Sequence, residues 1–568
     1  MKSFGQIAGA RLPRRVSVRL AGMGTAPGAL VWQPAPPTSG DAAVARQLSR
    51  GVLVFDGRMA ETLEPHPWDL SPPDRVWESA LHGHGWLDDA AATGDRRSWD
   101  LLSAWVWSWL ERFGDGSGPG WEPELAARRL TRWIAYSVRL LNGQPGDRSV
   151  AFFQALGMHT RYVDWRWRET PDGPARLEAL AGLVYARLSL EGRSRDTLRA
   201  IAVLGREADR VIGPDGGIGS RSPEDLSRAI TILGWSLSTM SEAGQTPAPA
   251  HLEALRRAEP VLAALRHPNG SLARFHGGRP ARVRNREQEH QTPEAQPSAD
   301  HATAMGFRRA RCGTTVLILD AAPPPDGPHA ATAHASPLAF ELSSGRFPLV
   351  VNAGTGLAFG PRAAQSARRM AAHSGVELGQ RCPGQLRAPD DGVARLTTPG
   401  TVRARVNADT QGVQLLGEST LYEHSLGLRL ERRLHLNASG LKLSGEDTAL
   451  ATRAETRLQM ATAFPDQAPA CPMTLRLHLH PNAHARMALN GRAVSIRPPD
   501  GSIWMFIADT DLLDLEDSAY YDEAQLRPRL TRQIVARTTI MEYWGRITWS
   551  LERLPEGSSP LSLRPADT

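Results

Sequence analysis

One change of hydrophobic period, near residue 300 of the 568, constrains this chain more than any other feature. Before it, apolar residues recur at helical spacing in WDLLSAWVWSWLERF (99–113), ELAARRLTRWIAYSVRLLN (124–142), ARLEALAGLVYARLSLEG (175–192) and DLSRAITILGWSLSTM (225–240). Steps of three and four place those side chains on one face of a helix. No strand-like run intervenes, so the helices must cover one another, as hairpins in an arc or as a solenoid. Of the 16 tryptophans, only Trp504, Trp544 and Trp549 lie beyond Trp235.

Beyond the polar stretch at 279–300 the period becomes two. TTVLILD (314–320), LAFELSS (338–344), FPLVVNAG (347–354), VQLLGES (413–419), LRLERRLHLN (428–437), MTLRLHLHPN (473–482), SIWMFIAD (502–509) and RQIVARTTI (532–540) all read as strands. Turn signals such as NASG and LNGR separate them, and no helical spacers occur, which predicts an antiparallel β-sandwich. The expected class is therefore α+β and multidomain. The expected parts are an N-terminal arm at 1–70, a helical domain at 71–278, a linker at 279–301 and a sandwich at 302–568.

Charge narrows the partners. Lys and Arg total 66 against 60 Asp and Glu, a formal +6, and only Lys2 and Lys442 are lysines. A guanidinium is always ionised and grips carboxylate or phosphate through a planar fork. No basic run is interleaved with aromatics, which argues against nucleic acid. Cys312, Cys382 and Cys471 are widely spaced and form no CxxC, against both a disulfide framework and a cysteine-held zinc. Arg, Gly or Pro interrupts every apolar stretch of the N-terminus, so neither a secretory signal nor a transmembrane span is expected. By that reading the chain is cytoplasmic.

The histidines carry the first chemistry. His329 and His334 lie in GPHAATAHASPLAFELSS, Asn352 in VVNAG and His373 in MAAHSG. Two imidazoles, His334 and His373, with the amide oxygen of Asn352 are donors that could share a metal. GPDGGIGS (213–220) lacks nucleotide-loop spacing, no Gly-x-Ser-x-Gly elbow occurs, and the carboxylates are too dispersed to nominate a glycosidase pair.

HASPLAFELSSGRFPLVVNAGTG followed by RMAAHSG resembles the signature of the heparinase II/III-like family of polysaccharide lyases. ALHGHGWLDD (80–89), GPDGGIGSRSP (213–223), GSLARFHGG (270–278), GFRRARCGTTVLILDAAPPP (306–325), LERRLHLN (430–437), LHLHPN (477–482) and LRPRLTRQIV (526–535) are similar to its landmarks, in the same order. The resemblance implies an N-terminal α/α toroid joined to a C-terminal antiparallel sandwich. It also implies β-elimination at a uronate, with donors that neutralise the carboxylate and an acid/base pair acting at C5 and the glycosidic oxygen. It points to the periplasm or envelope.

Several positions depart from that pattern. Of the family's His-x-His-x-Asp run only the second histidine is present, as His334, with Thr332 and Ser336 in the other two places. Asn352 stands where metal-binding members carry Asp, and His373 matches a later ligand, so the set to test for zinc is His334, Asn352 and His373. Pro174 and Ala175 replace an Asn-His pair, and Asp225 falls near the catalytic tyrosine. The resemblance leaves His334, Tyr162 and Arg221 as catalytic candidates, with His159, His82 and His84 behind them. Arg221 is expected near His334 or Tyr162, facing a groove and unpaired by Asp or Glu. The expected activity is that of a polysaccharide lyase on an acidic poly- or oligosaccharide. The alternative is a catalytically inactive glycan-binding or envelope-associated protein, and a homodimer is left open.

Overall fold

The computed structural model describes residues 12–192, 194–277, 301–387, 394–452, 471–522, 525–541 and 543–555. They fall into two units. One holds the described residues of Met1–Ile218 with Leu226–Glu259, and the other those of Gly219–Asp225, Pro260–Ala281 and Gln296–Thr568.

The first unit is helical. Its tryptophan-rich helix, Arg96–Phe113, starts where the Asp95 side chain accepts the N–H groups of Arg97 and Ser98, satisfying donors that a first turn leaves open. The helix then buries Trp99, Leu102, Trp105, Val106, Trp109 and Phe113 on its inward side. Helices Pro123–Ala135 and Pro174–Ser189 each open on proline, whose fixed φ suits the first turn and whose missing N–H costs nothing there. Trp77, Trp86, Trp105, Trp109, Trp121 and Trp133 are among the largest fully buried side chains. Arg129 lies among them, its Cζ 4.0 Å from the Trp109 ring centroid. It donates to the carbonyls of His82 and Gly120. The expected arm contains helices Arg14–Gly22 and Ala42–Leu48 and the hairpin Val52–Phe55 with Arg58–Glu61.

The second unit is an antiparallel sandwich of an eight-stranded and a nine-stranded sheet. Leu317, Phe340, Leu342, Leu475 and Leu477 of one sheet share a single buried core with Leu430, Leu434, Leu443 and Leu551 of the other. Strand Leu428–Asn437 alternates buried and less buried residues along its length, the period-two signature of one covered face. Strands do not fill this half completely, because short helices form at Pro361–Ala367 and Glu423–Leu426.

The long helices end with Pro249–Ala264 and the sandwich strands begin with His301–Ala304. The polar stretch at 279–300 lies outside the described residues. Gly219–Asp225 and the described residues of Pro260–Ala281, within the stretch expected to be helical, group instead with the strands. Two contacts explain the second segment. Phe275 packs on Phe307 with ring centroids 4.9 Å apart, and Arg309 donates to the carbonyls of Ala264, at 3.2 Å, and Arg266, at 2.7 Å. No described helix is long and apolar enough to cross a membrane.

Candidate functional site

One candidate residue of the second unit, Arg221, meets Asp320, which ends strand Thr315–Asp320 and is wholly buried. Arg221 reaches it with Nη2 at 2.5 Å, while Nη1 donates to Pro323 O at 2.7 Å and Ala322 O at 3.1 Å, and Nε to Met305 O at 3.1 Å. The Arg221 backbone has φ of 50°, a left-handed conformation that a non-glycine residue keeps only where its surroundings fix it. Ser336 Oγ donates to the other Asp320 oxygen at 2.8 Å, and His276 Nε2 lies 3.3 Å from that oxygen. Because His276 Nδ1 accepts the His334 N–H at 3.2 Å, the ring proton sits on Nε2 and faces Asp320. Burial by itself would raise the Asp320 pKa, but the Arg221 guanidinium and His276 outweigh it and hold the group below the ordinary carboxylate range.

This corrects the expectation that Arg221 has no acidic partner. Its charge is spent on Asp320, and it connects to His334 through His276. Neither Asp320 nor His276 stood out in the sequence. Asp320 closes an otherwise apolar run, TTVLILD, and His276 is inside GSLARFHGG, so the signals were a charge at a core-facing strand end and a histidine beside a double glycine.

A second network forms around Glu341, buried in the all-buried strand Phe340–Ser344. Its Oε2 accepts from His267 Nε2 at 3.0 Å and Arg274 N–H at 3.2 Å, and its Oε1 from Asn352 N–H and Nδ2, both at 3.1 Å. His267 Nδ1 in turn accepts the Ser343 hydroxyl at 2.8 Å. Four donors thus replace the water this carboxylate loses, and no arginine side chain is needed. Glu341→Gln turns one acceptor into a donor facing donors. It is expected to lower stability by about 2–3 kcal/mol, the worth of a charged hydrogen bond, measured by urea unfolding.

Zinc does not fit the expected set. His334 Nε2 accepts the Gly277 N–H at 3.2 Å, so its ring proton is on Nδ1, pointing at His373 Nε2 3.2 Å away. His334 therefore has no free lone pair. Asn352 Oδ1 accepts the Ser374 N–H at 3.0 Å, and its Nδ2 is held by Glu341 and by Arg274 O at 3.3 Å. The structure brings His334 and His373 together but engages Asn352 in bracing the backbone around Arg274. Among the described residues no three His, Cys, Asp or Glu side chains gather as a metal site. Burial keeps both rings neutral, pushing His334 well below the ordinary histidine value and His373 down to about 3.

Tyr162, in helix Gly146–Arg166 of the first unit, is 1% exposed, and its hydroxyl donates to Trp121 O at 2.5 Å. Burial raises its pKa above the ordinary tyrosine value. A sealed hydroxyl bound to a carbonyl does not serve as acid or base, so the catalytic expectation for Tyr162 is corrected to core packing. The other histidine candidates are core as well. Trp109 Nε1 donates to His82 Nδ1 at 2.9 Å, Trp133 Nε1 to His84 Nδ1 at 3.0 Å, and His159 Nδ1 to Ala155 O at 2.9 Å. Pro174 is a buried helix start, and the Asp225 carboxylate accepts the Ser220 hydroxyl at 2.8 Å.

Solved structures share this fold of a helical N-terminal part followed by a two-sheet antiparallel sandwich. Heparinase III shares it at 12% identity with a TM-score of 0.67, over 95% of this chain and 89% of that one. A mutant of the heparan sulfate lyase HepC from Pedobacter heparinus shares it at 14% identity and 0.60, over 96% and 88%. Residues 294–550 match the family described as heparinase II/III-like, C-terminal. Along nearly its whole length this chain is also similar to FtsZ-localized protein C of Caulobacter vibrioides. The two are 29% identical over 565 residues, 95% of this chain and 92% of that protein.

Proposed function

We propose that this chain is a non-eliminating member of the lyase fold, an envelope-associated binding protein that localises with FtsZ as its 29% identical relative is named for doing. One observation carries the reading: the three residues nominated for elimination are each engaged inside the protein. Elimination needs a donor to neutralise the uronate carboxylate, a base for C5 and an acid for the leaving oxygen. Arg221 neutralises Asp320, Tyr162 is bound to Trp121 O, and the lone pair of His334 is taken by Gly277 N–H. Pro174 and Ala175 bring no side-chain donor.

Two measurements test this. Incubated with a panel of uronate polymers, the purified chain is expected to give no rise in the ultraviolet absorbance of an unsaturated product. A fluorescent fusion is expected to follow the FtsZ distribution in cells. A rise in absorbance that His334→Ala abolishes would restore the eliminative reading, with His334, Tyr162 and Arg221 in altered roles on an acidic glycan. A fusion distributed independently of FtsZ would remove the localisation.

A further inference from the structure

Arg274 differs from the other arginines set into the second unit. Arg221 and Arg432 each meet an aspartate, and Arg309 donates to the carbonyls of Ala264 and Arg266. Arg274 is 7% exposed, yet its one bonded nitrogen, Nη2, donates to the Tyr521 carbonyl, while Nε and Nη1 are buried with no acceptor. The nearby carboxylate of Glu341 is held by His267, by Asn352 and by the Arg274 backbone, and is not paired with the guanidinium. A cation out of water with two open donor groups is the least favourable state a buried side chain can adopt, unless something supplies the missing acceptors.

The surroundings are built to keep the guanidinium where it is. Its backbone is fixed on both sides, the N–H by Glu341 at 3.2 Å and the carbonyl by Asn352 Nδ2 at 3.3 Å. Its Cζ stacks 4.1 Å from the Tyr520 ring centroid. Opposite stands Gly354, at φ of 97°, where a Cβ would come within 1.9 Å of Nη2. Only glycine leaves room for this rotamer. Around it lie half-buried aromatic groups: the Tyr521 ring is 5.5 Å from Phe359 and the His480 ring 5.4 Å from Tyr520. His480 is pushed down to about 4, first by burial and then by Arg529 and Arg274, with Glu341 and Asp522 opposing them.

We propose that Arg274 is the recognition residue of an oxyanion site in the sandwich unit, whose ligand is a carboxylate, sulfate or phosphate group accepting from the open Nε and Nη1 donors. The sealed Arg129 of the first unit supplies the contrast. It too lacks a carboxylate, but it is 0% exposed and donates to two carbonyls. The inference goes beyond the proposed function and does not depend on it, because an anion can bind whether or not the chain localises with FtsZ.

Thermal unfolding of the full chain in chloride buffer, titrated with sulfate, phosphate, acetate or glucuronate and with glucose as the uncharged control, tests it. The native chain is expected to show a saturable rise in midpoint with oxyanions and none with glucose, and Arg274→Met is expected to lose that rise. A larger rise with glucuronate than with acetate assigns the anion to a sugar. A rise with sulfate or phosphate alone assigns it to a free inorganic ion. Equal shifts in the native chain and Arg274→Met overturn the site. If Arg274→Met does not fold, Arg274→Lys, which keeps the charge but loses the planar fork, is expected to weaken saturation. The absence of saturable binding of labelled sulfate, phosphate and glucuronate to the native chain overturns the proposal without any variant.

Discussion

Asp447→Asn is expected to cost the sandwich about 3–5 kcal/mol, the penalty for leaving a buried charge without its partner. Asp447 and Arg432 are register partners on adjacent strands, and both face the core. Arg432 Nε lies 2.5 Å from one Asp447 oxygen and Nη2 3.1 Å from the other, a two-pronged pair, while Nη1 donates to Leu338 O at 2.7 Å. Trp549 Nε1 completes the aspartate at 2.9 Å. Gly445 makes room for that indole, since a Cβ there would stand 2.1 Å from the Trp549 ring. In Asp447→Asn the guanidinium remains buried with a neutral partner. The double variant Arg432→Met with Asp447→Leu removes both charges and is expected to regain most of the loss, because an apolar pair of similar volume carries no desolvation penalty. Urea unfolding of the two single variants and the double completes the cycle. A loss below about 1 kcal/mol in Asp447→Asn would place the pair in water-like surroundings and contradict its burial.

The same pair shows how far the sequence could be read. LRLERRLHLN announces its strand because leucines occupy alternate positions, and the strand observed is Leu428–Asn437. That alternation also puts Arg432 on the leucine face, which is legible only as an anomaly until Asp447 is found opposite. The partner strand Lys442–Ala451 escaped notice because KLSGEDTALA hides its inward residues among small and polar ones. Edge strand Leu512–Tyr520 escaped for a different reason: DLEDSAY lacks apolar alternation where only one neighbour pairs with it. In the helical unit, periodicity located the helices, but Tyr136 interrupts the run 124–142 between Pro123–Ala135 and Ser137–Leu141.

The candidate site was less legible than the fold. His334 and His373 do meet, but the partners that surround them are backbone groups, Gly277 N–H at His334 and the Ala367 carbonyl at His373, which carry no residue-type signal. Arg221 is legible in the sequence as a cation, but its pairing is not. Its partner Asp320 is 99 residues away in sequence, so spacing could not reveal the pair.

Acid is expected to unfold the tryptophan-rich unit from pH 6.5 downward, at up to about 4 kcal/mol per pH unit from three buried histidines. His82, His84 and His159 surround Arg129. Burial comes first and the Arg129 charge second in depressing them, His82 to about 3 and the other two well below the ordinary value. Each is neutral in the folded chain and titrates near 6.5 when unfolded, so between those values the unfolded state holds the extra proton and stability falls as pH falls. One proton per histidine is worth about 1.4 kcal/mol per pH unit. Above pH 6.5 both states are neutral and these three residues impose no slope. Urea unfolding followed by tryptophan fluorescence between pH 7.5 and 4.5 reads the effect, since most tryptophans lie in this unit. His82→Gln keeps an acceptor for Trp109 Nε1 and removes one titrating group. A cavity would lower its whole stability curve in parallel, whereas losing the proton flattens the acid limb by about 1.4 kcal/mol per pH unit. An acid limb as steep in His82→Gln as in the native chain would show that this histidine already titrates normally in the fold, against its bond to Trp109 and its burial.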